Sequence, residues 1–203
     1  LIDPSRDGHR LMSKVRRRLV WSRGLLLPGE LQSDDTSLVD SHLHLEIRRR
    51  FFRPMPVAVI RDIIEHTASV WVDPGTQRHE TILDVLMLGA DMAIIDGSSS
   101  ERELALAHSL SDRVITRFDV RCGLGKLVGQ MERIISRLEN IAEVVQRPMA
   151  LLTRELGVME ALIGAIPRPT LEKYDWCLIP AEGGKVPVPD GFRCSWSIEA
   201  GDE

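Results

Sequence analysis

The chain has 203 residues, of which 43% are apolar and 28% are charged, and its formal net charge is −4. This length allows one domain with a sizeable core. The small negative charge argues against nucleic acid as the main partner. Two basic runs, at residues 14–18 and 48–50, lack interleaved aromatic residues and are predicted to be solvated helix faces.

The cysteines and the hydropathy pattern indicate in which cellular compartment the protein is expected. Cys122, Cys177 and Cys194 are far apart and form no C-x-x-C pair, so neither a zinc site nor a disulfide framework is indicated. No apolar run approaches the roughly 20 residues that span a bilayer, and no signal peptide is visible. We therefore expect a cytoplasmic protein without membrane contact. Because the sequence begins at Leu1 rather than at methionine, we also expect the natural amino terminus to be missing.

The first third of the chain shows weak patterns. Residues 1–3 read as the end of a first strand, and residues 4–8 as a turn. Residues 10–27 predict a helix that becomes apolar towards its end, and residues 37–40 predict a short second strand. Residues 56–67 have apolar side chains at helical spacing and predict an amphipathic helix.

The segment from Ser69 to Gly123 is the most informative. Three short runs rich in valine and isoleucine, at residues 70–72, 92–95 and 114–116, are each followed by an aspartate. Amphipathic helices are predicted between them, at residues 80–88 and from Ser98 to His108. Alternating strands and helices indicate parallel pairing with right-handed crossovers. Because ligand sites in such sheets lie just past the carboxyl ends of the strands, function is expected at residues 73–77, 96–99 and 119–123.

The last third continues the alternation. Residues 125–146 predict a long helix that Pro148 ends. Strands are predicted at residues 150–153 and 175–179, a helix at 158–166, and an eighth strand at 192–197. The whole chain, residues 1–203, is therefore predicted to be a single α/β domain of the (β/α)8 TIM-barrel-like class, short and incomplete at both termini. A doubly wound open sheet is the alternative.

Taken in order, the strand ends resemble a known family, the phosphoribosylformimino-aminoimidazole-carboxamide-ribotide isomerases of histidine biosynthesis. The persuasive part is residues 55–123, with Val-Asp-Pro-Gly-Thr-Gln at 72–77, Ile-Ile-Asp-Gly-Ser at 94–98 and Phe-Asp-Val-Arg-Cys-Gly at 118–123. Segments 2–8, 38–40, 151–153 and 181–186 extend the resemblance over the chain. The Asp-Pro-Gly and Gly-Ser-Ser segments are more similar to a divergent branch of this family associated with one-carbon metabolism.

The resemblance implies an intramolecular isomerase that converts an aminoaldose to an aminoketose without a cofactor or a metal. Asp3 and Asp119 match the family's base and acid, and Thr153 matches a threonine that positions the substrate. Two carboxyls with different environments could perform both proton transfers. The implied ligand is a small phosphorylated metabolite. Its phosphates would be bound by two groups of backbone N–H donors on opposite sides of the mouth, one around Gly75, Gly97 and Ser98, the other around Gly183 and Gly184.

The loops also depart from the family pattern. Asp73 and Pro74 replace two glycines of the third loop, and Asp96 precedes Gly97 in the fourth. A carboxylate repels a phosphate and proline has no N–H to donate. These departures favour a second hypothesis, in which the barrel is non-catalytic and binds a metabolite or a protein partner.

A third hypothesis comes from the H-x-H spacing of His42 and His44, which places two imidazoles on one face of a strand. This segment resembles the first metal motif of the amidohydrolases, which are also barrels. A catalytic metal would need further ligands from other strand ends, and the remaining histidines fall in predicted helices or loops. We also expect a homodimer, in which a second subunit covers the short barrel.

Overall fold

A computed structural model describes residues 14–22, 25–27, 42–48, 54–120, 123–145, 149–153, 156–169, 176–180 and 194–200. Within these residues the chain alternates between strands and helices over most of its length. The strands are β1 (Lys14–Ser22), β2 (Leu25–Leu27), β3 (His42–Arg48), β4 (Ser69–Asp73), β5 (Met92–Asp96), β6 (Val114–Val120), β7 (Met149–Thr153), β8 (Trp176–Pro180) and β9 (Cys194–Ala200). The helices are α1 (Val57–Glu65), α2 (His79–Met87), α3 (Glu101–Leu110), α4 (Leu124–Leu127), α5 (Met131–Val144) and α6 (Leu156–Ala165).

Eight of the nine strands form a closed parallel ring. Each pairs in parallel with the next, from β1 through β3 to β9, and β9 pairs in parallel with β1 to close the ring. The short β2 lies antiparallel to the end of β1. Helices follow β3, β4, β5, β6 and β7 and connect each to the next strand. The predicted (β/α)8 TIM-barrel class is confirmed, and the open sheet is wrong because an open sheet has two unpaired edges.

The side chains of β3 show how the strands divide the molecule into two layers. Leu43, Leu45 and Ile47 are fully buried and belong to the core between the strands and the helices. Because successive side chains point to opposite faces, His44 and Glu46 face the inside of the barrel. Burying the apolar set against the helices is the main stabilisation of this layer, at about 25 cal/mol for each Å² removed from water.

The helices have the apolar faces expected of an outer layer. Helix α1 buries Ile60 and Ile63, and α2 buries Ile82, Val85 and Leu86. Helix α3 begins at the N-cap Ser100, whose hydroxyl accepts a hydrogen bond from the Glu103 N–H (3.3 Å). No helix within the described ranges is long and apolar enough to cross a membrane.

One predicted element near the amino terminus is wrong. Residues 14–22, predicted as part of a helix, form strand β1. Lysine and arginine are good helix formers, but this strand pairs with β3 on one side and with β9 on the other, and such tertiary pairing overrides local propensity. The second strand of the ring is His42–Arg48. The predicted second strand, residues 37–40, and the predicted first strand, residues 1–3, lie outside the described residues and stay predictions.

Candidate active site at the barrel mouth

Charged side chains collect at the carboxyl ends of four consecutive strands. These ends form one mouth of a parallel barrel, which is where such barrels hold their active sites. Along β6, Thr116 and Phe118 face the helices, since the Thr116 hydroxyl contacts His108 of α3 (2.8 Å) and Phe118 belongs to the core. The alternating residues face inward. The mouth cluster, as it is called below, consists of Glu46 on β3, Asp73 on β4, Asp96 on β5, and Arg117 and Asp119 on β6.

Arg117 is the centre of the mouth cluster. Its side chain is buried, and one terminal nitrogen donates a hydrogen bond to Asp73 Oδ2 while the other donates to Asp96 Oδ2 (2.9 Å). The guanidinium thus joins three strands from inside the barrel, as its planar fork of donors allows. The Nε–H is buried and has no acceptor among the described residues. Asp73, first, and then Asp96 and Glu46 raise the pKa of Arg117 above its ordinary value, so it remains a cation.

Asp73 is the most deeply buried acid of the cluster, at 1% exposure. Its Oδ1 accepts a hydrogen bond from the Gly75 N–H (2.9 Å). Burial raises the pKa of Asp73, and the carboxylates of Glu46 and Asp96 add to this effect. The Arg117 charge and the Gly75 hydrogen bond act in the opposite direction without cancelling it.

Asp96 has the opposite electrostatic character. Burial alone would raise its pKa, but hydrogen bonds from Ser98 and the charge of Arg117 outweigh that effect, so the pKa of Asp96 lies below its ordinary value. The Ser98 N–H donates to Asp96 Oδ1 (2.8 Å). Asp96 and Asp73 thus share one arginine while their pKa values are displaced in opposite directions, a pattern typical of acid–base sites.

This divergence predicts opposite pH dependences for two variants. Asp96 stabilises the fold above the ordinary aspartate pKa of 3.8, and this contribution is lost as the pH falls through its lower folded value. Asp73 favours the fold below pH 3.8, and its contribution is lost as the pH rises through its higher folded value. Relative to Asp96→Asn, the wild type should therefore lose its advantage in free energy of unfolding on acidification below 3.8. Relative to Asp73→Asn, the free energy of unfolding of the wild type should increase as the pH falls towards 3.8. Urea unfolding between pH 3 and 7 measures both differences. If the two differences change with pH in the same direction, the opposite displacement of the two pKa values is contradicted.

A cleft of about 1180 Å³ opens beside the mouth cluster. Asp96 and Asp119 line it on the barrel side, and Gly123 and the helical segment from Leu124 to Arg137 line it on the outer side. The side chain of Asp96 is 18% exposed, so both carboxyls can contact a ligand in the cleft. Asp73 does not line it. The cleft therefore gives the ligand access to part of the cluster and leaves the Asp73–Arg117 pair beneath it.

Of the residues predicted to bind phosphate, the described ones, Gly75, Gly97 and Ser98, lie at the mouth, but their N–H groups are engaged. Gly75, with φ +60°, donates to Asp73, and Gly97 donates to Arg117 O (2.7 Å). A Cβ on Gly97 would lie 2.8 Å from that same oxygen, so this glycine allows β5 and β6 to approach closely. Ser98 donates to Asp96. Phosphate binding by Gly75, Gly97 and Ser98 stays a prediction, and it requires their N–H groups to exchange their present acceptors for phosphate oxygens.

The other predicted site residues are placed unevenly. Asp119 lies at the mouth and lines the cleft. Thr153 is the last residue of β7, where it pairs with Val120 next to Asp119, so its backbone reaches the same end of the barrel. Asp3, Gly183 and Gly184 lie outside the described residues, and their assigned roles stay predictions.

The H-x-H segment opens β3 rather than closing it. His42 pairs with Ser69 and His44 with Trp71, at the beginning and middle of β4. His44 is buried inside the barrel, below Glu46, which is level with Asp73. Metal motifs in barrels act from the carboxyl ends of strands. The position of this pair therefore does not favour the amidohydrolase-like hypothesis.

A separate group of possible metal ligands lies at the start of α2. His79 Nδ1 is 2.7 Å from Glu103 Oε2 and 3.5 Å from Glu80 Oε2. The Glu103 carboxylate also accepts the His79 backbone N–H (2.9 Å), and these hydrogen bonds lower the pKa of Glu103. Since Arg78, the N-cap residue of α2, makes no side-chain capping bond, Glu103 satisfies this helix end from α3. The group is explained as a helix cap.

Comparison with known proteins identifies no family. No family model matches the sequence, and no curated protein matches it significantly. Among solved structures, the fold is similar to that of a protein from Burkholderia cenocepacia J2315 provisionally assigned as a phosphonomutase. The two are 16% identical over 73% of this chain and 70% of the other, with a TM-score of 0.50. At this identity the likeness supports the barrel fold alone.

The resemblance to the histidine-biosynthesis isomerases is wrong. The similar solved structure carries the name of a different enzyme class, and no model of the isomerase family matches the chain. The geometry gives a physical reason, because the glycines that suggested the family stabilise turns at the mouth. A Cβ at either Gly75 or Gly97 would come within 3 Å of a carbonyl oxygen of a neighbouring strand. Glycine after a barrel strand is therefore a weak marker of family.

Neither Arg117 nor its contact with Asp73 was predicted from the sequence. The available signal was the alternation in Val-Ile-Thr-Arg-Phe-Asp-Val, residues 114–120, which places Ile115, Arg117 and Asp119 on one face of a strand. An arginine on the inner face of a barrel requires paired carboxylates. The aspartates after the two preceding strands were present to supply them.

Proposed function

We propose that this protein is an enzyme that transfers protons on a small phosphorylated metabolite at the carboxyl-terminal mouth of its barrel. The observation that supports this most strongly is the mouth cluster beside an open cleft. Four consecutive strands supply four carboxyls around one arginine, and the environments of two of these carboxyls displace their pKa values in opposite directions. General acid–base catalysis needs such differences.

In this proposal Asp119 carries the proton. It lines the cleft and is partly exposed, so it can reach a substrate hydroxyl, carbonyl or adjacent C–H bond. Asp96 is ionised and held by Ser98 and Arg117, so it is a weak base but a good acceptor for substrate hydroxyl groups. Arg117 supplies a fixed positive charge that keeps Asp96 in place. Isomerisation of a sugar phosphate is one reaction that such an arrangement could perform.

The competing hypothesis is a barrel that binds a ligand and performs no reaction. The double ion pair of Arg117 favours it in one respect, because a paired arginine also stabilises a barrel interior. The two hypotheses differ in the consequence of removing Asp119. A binding protein needs its ligand contacts and no transferable proton at that position.

A ligand screen tests the proposed substrate class. Ribose phosphates and sugar bisphosphates would be compared with their dephosphorylated forms by thermal unfolding, because the name of the similar structure points to phosphorus-containing compounds. A ligand at 100 times its Kd adds about 2.7 kcal/mol to the free energy of unfolding. We expect at least one phosphorylated compound to raise Tm where its dephosphorylated form does not. Equal shifts for both members of every pair would contradict the proposal.

A further inference from the structure

The outer side of the cleft carries three cations from one helical segment. Lys126 of α4 and Arg133 and Arg137 of α5 all line it. Arg133 and Arg137 are four residues apart and so lie on the same face of α5. Three positive groups therefore face one concave surface. The three acids of α5, Glu132, Glu139 and Glu143, are not among the lining residues.

These cations are not neutralised within the described part of the chain. None of the three forms an ion pair with a described residue, whereas Arg48 and Arg117 do. The carboxyls that line the cleft are Asp96 and Asp119. Asp96 is already hydrogen-bonded to Arg117 and Ser98. The negative charge of Asp119 acts on Arg117 and helps to raise the pKa of that arginine. The outer side of the cleft thus presents positive charge that the barrel side does not cancel.

Arg137 is also held in position. Its guanidinium carbon lies 5.7 Å from the centre of the Phe118 ring, which is itself buried between β6 and the helices. Such a cation–π contact contributes roughly 0.5–1 kcal/mol at an exposed site. None of the Arg137 N–H groups donates a hydrogen bond to a described residue, so they are able to donate to an anion. An arginine positioned in this way loses less side-chain entropy on binding.

From this arrangement we propose that Lys126, Arg133 and Arg137 form the binding site for the phosphate group of the ligand. The inference rests on the proposed function for the position of the reacting atoms, which would lie at Asp119 on the opposite side of the cleft. It assigns the phosphate to the segment after β6 rather than to the N–H groups of Gly75, Gly97 and Ser98. Guanidinium groups bind phosphate oxygens through charge-assisted hydrogen bonds, often in pairs.

Binding of inorganic phosphate tests the site directly. Isothermal titration in phosphate, with chloride at matched ionic strength as reference, should show saturable binding with a Kd on the order of 1 mM. The double substitution Arg133→Gln with Arg137→Gln should weaken this binding by about tenfold, because it removes two charge-assisted contacts. Arg61→Gln, an exposed arginine of α1, is the matched control and should leave the Kd unchanged.

The outcomes separate this inference from the proposed function. Absence of saturable phosphate binding to the wild type, or the same Kd in the double variant, would overturn the phosphate site. Asp119→Asn should bind phosphate with the wild-type Kd if the cations hold it. Should that variant also keep full turnover, the proposed function would fail while the phosphate site stood. A shift of the Arg133 and Arg137 Nε–H resonances on adding phosphate would locate the anion independently.

Discussion

Replacing Arg117 with methionine should cost about 3–5 kcal/mol of the free energy of unfolding at neutral pH, the usual range for removing one partner of a buried ion pair. Methionine keeps an unbranched side chain, but it is shorter than arginine and lacks the guanidinium, so both hydrogen bonds are lost. Among the described residues, Asp73 then keeps only the bond from Gly75, and Asp96 only those from Ser98. Because native domains are stable by roughly 5–15 kcal/mol, the variant should lose a large fraction of its stability. Urea unfolding of the purified chain measures the change.

Two further variants give this result its meaning. Arg113→Met removes an exposed arginine just before β6, whose contact with Ala90 O is 3.4 Å long, and should change stability by no more than about 0.5 kcal/mol. Arg117→Met combined with Asp73→Asn removes both charges of the buried pair and should recover part of the loss. A loss below about 1 kcal/mol in Arg117→Met alone would mean that the mouth cluster does not hold the barrel together.

The strong local patterns of the sequence predicted the barrel wall from β4 to β6, and weaker patterns indicated strands at β7, β8 and β9. The structure has strands at the three valine- and isoleucine-rich runs, residues 70–72, 92–95 and 114–116, so these predicted strands are confirmed. The same reasoning was wrong at β1, residues 14–22, whose four lysine and arginine residues are typical of a helix surface. Such a segment becomes a strand only through partners on both sides, and these come from opposite ends of the chain.

Strand β3 shows how one motif can mask another. Residues 42–48 read His-Leu-His-Leu-Glu-Ile-Arg, an alternation of period two typical of a strand with one face buried. From the sequence, His42 and His44 were interpreted as a metal motif, and the strand was predicted at residues 37–40 instead. In the fold, alternation is the feature that matters, because Leu43, Leu45 and Ile47 form the core while Glu46 reaches the mouth.

The pairing of Arg117 with Asp73 could not be derived from sequence alone. The two residues are 44 positions apart and lie on strands separated by β5, so their contact depends on the relative registers of three strands. Registers are determined by packing over the whole barrel. The sequence could show that acids follow the strands, and it did. Whether such acids repel a ligand or hold an arginine is decided only when the ring closes.

Asp119→Asn should lower kcat by more than about a hundredfold on any phosphorylated substrate that the screen identifies, since general acid–base groups contribute about 10²–10⁴-fold. The amide has nearly the same shape and can still form hydrogen bonds, but it cannot carry the proton. KM should change little, because the proposed phosphate contacts come from Lys126, Arg133 and Arg137 on the other side of the cleft. Steady-state kinetics on the folded variant measure both constants.

The matched control is Asp112→Asn, an exposed aspartate just before β6, whose first residue is Val114. It removes the same charge from the opposite end of the same strand, so any general effect of net charge appears in both variants. We expect the control to keep wild-type kcat and KM. If Asp119→Asn keeps more than about a third of the wild-type kcat, or if both variants lose activity equally, proton transfer by Asp119 is excluded. A selective loss in Asp119→Asn would distinguish an enzyme from a binding barrel, because simple binding needs no group that exchanges a proton.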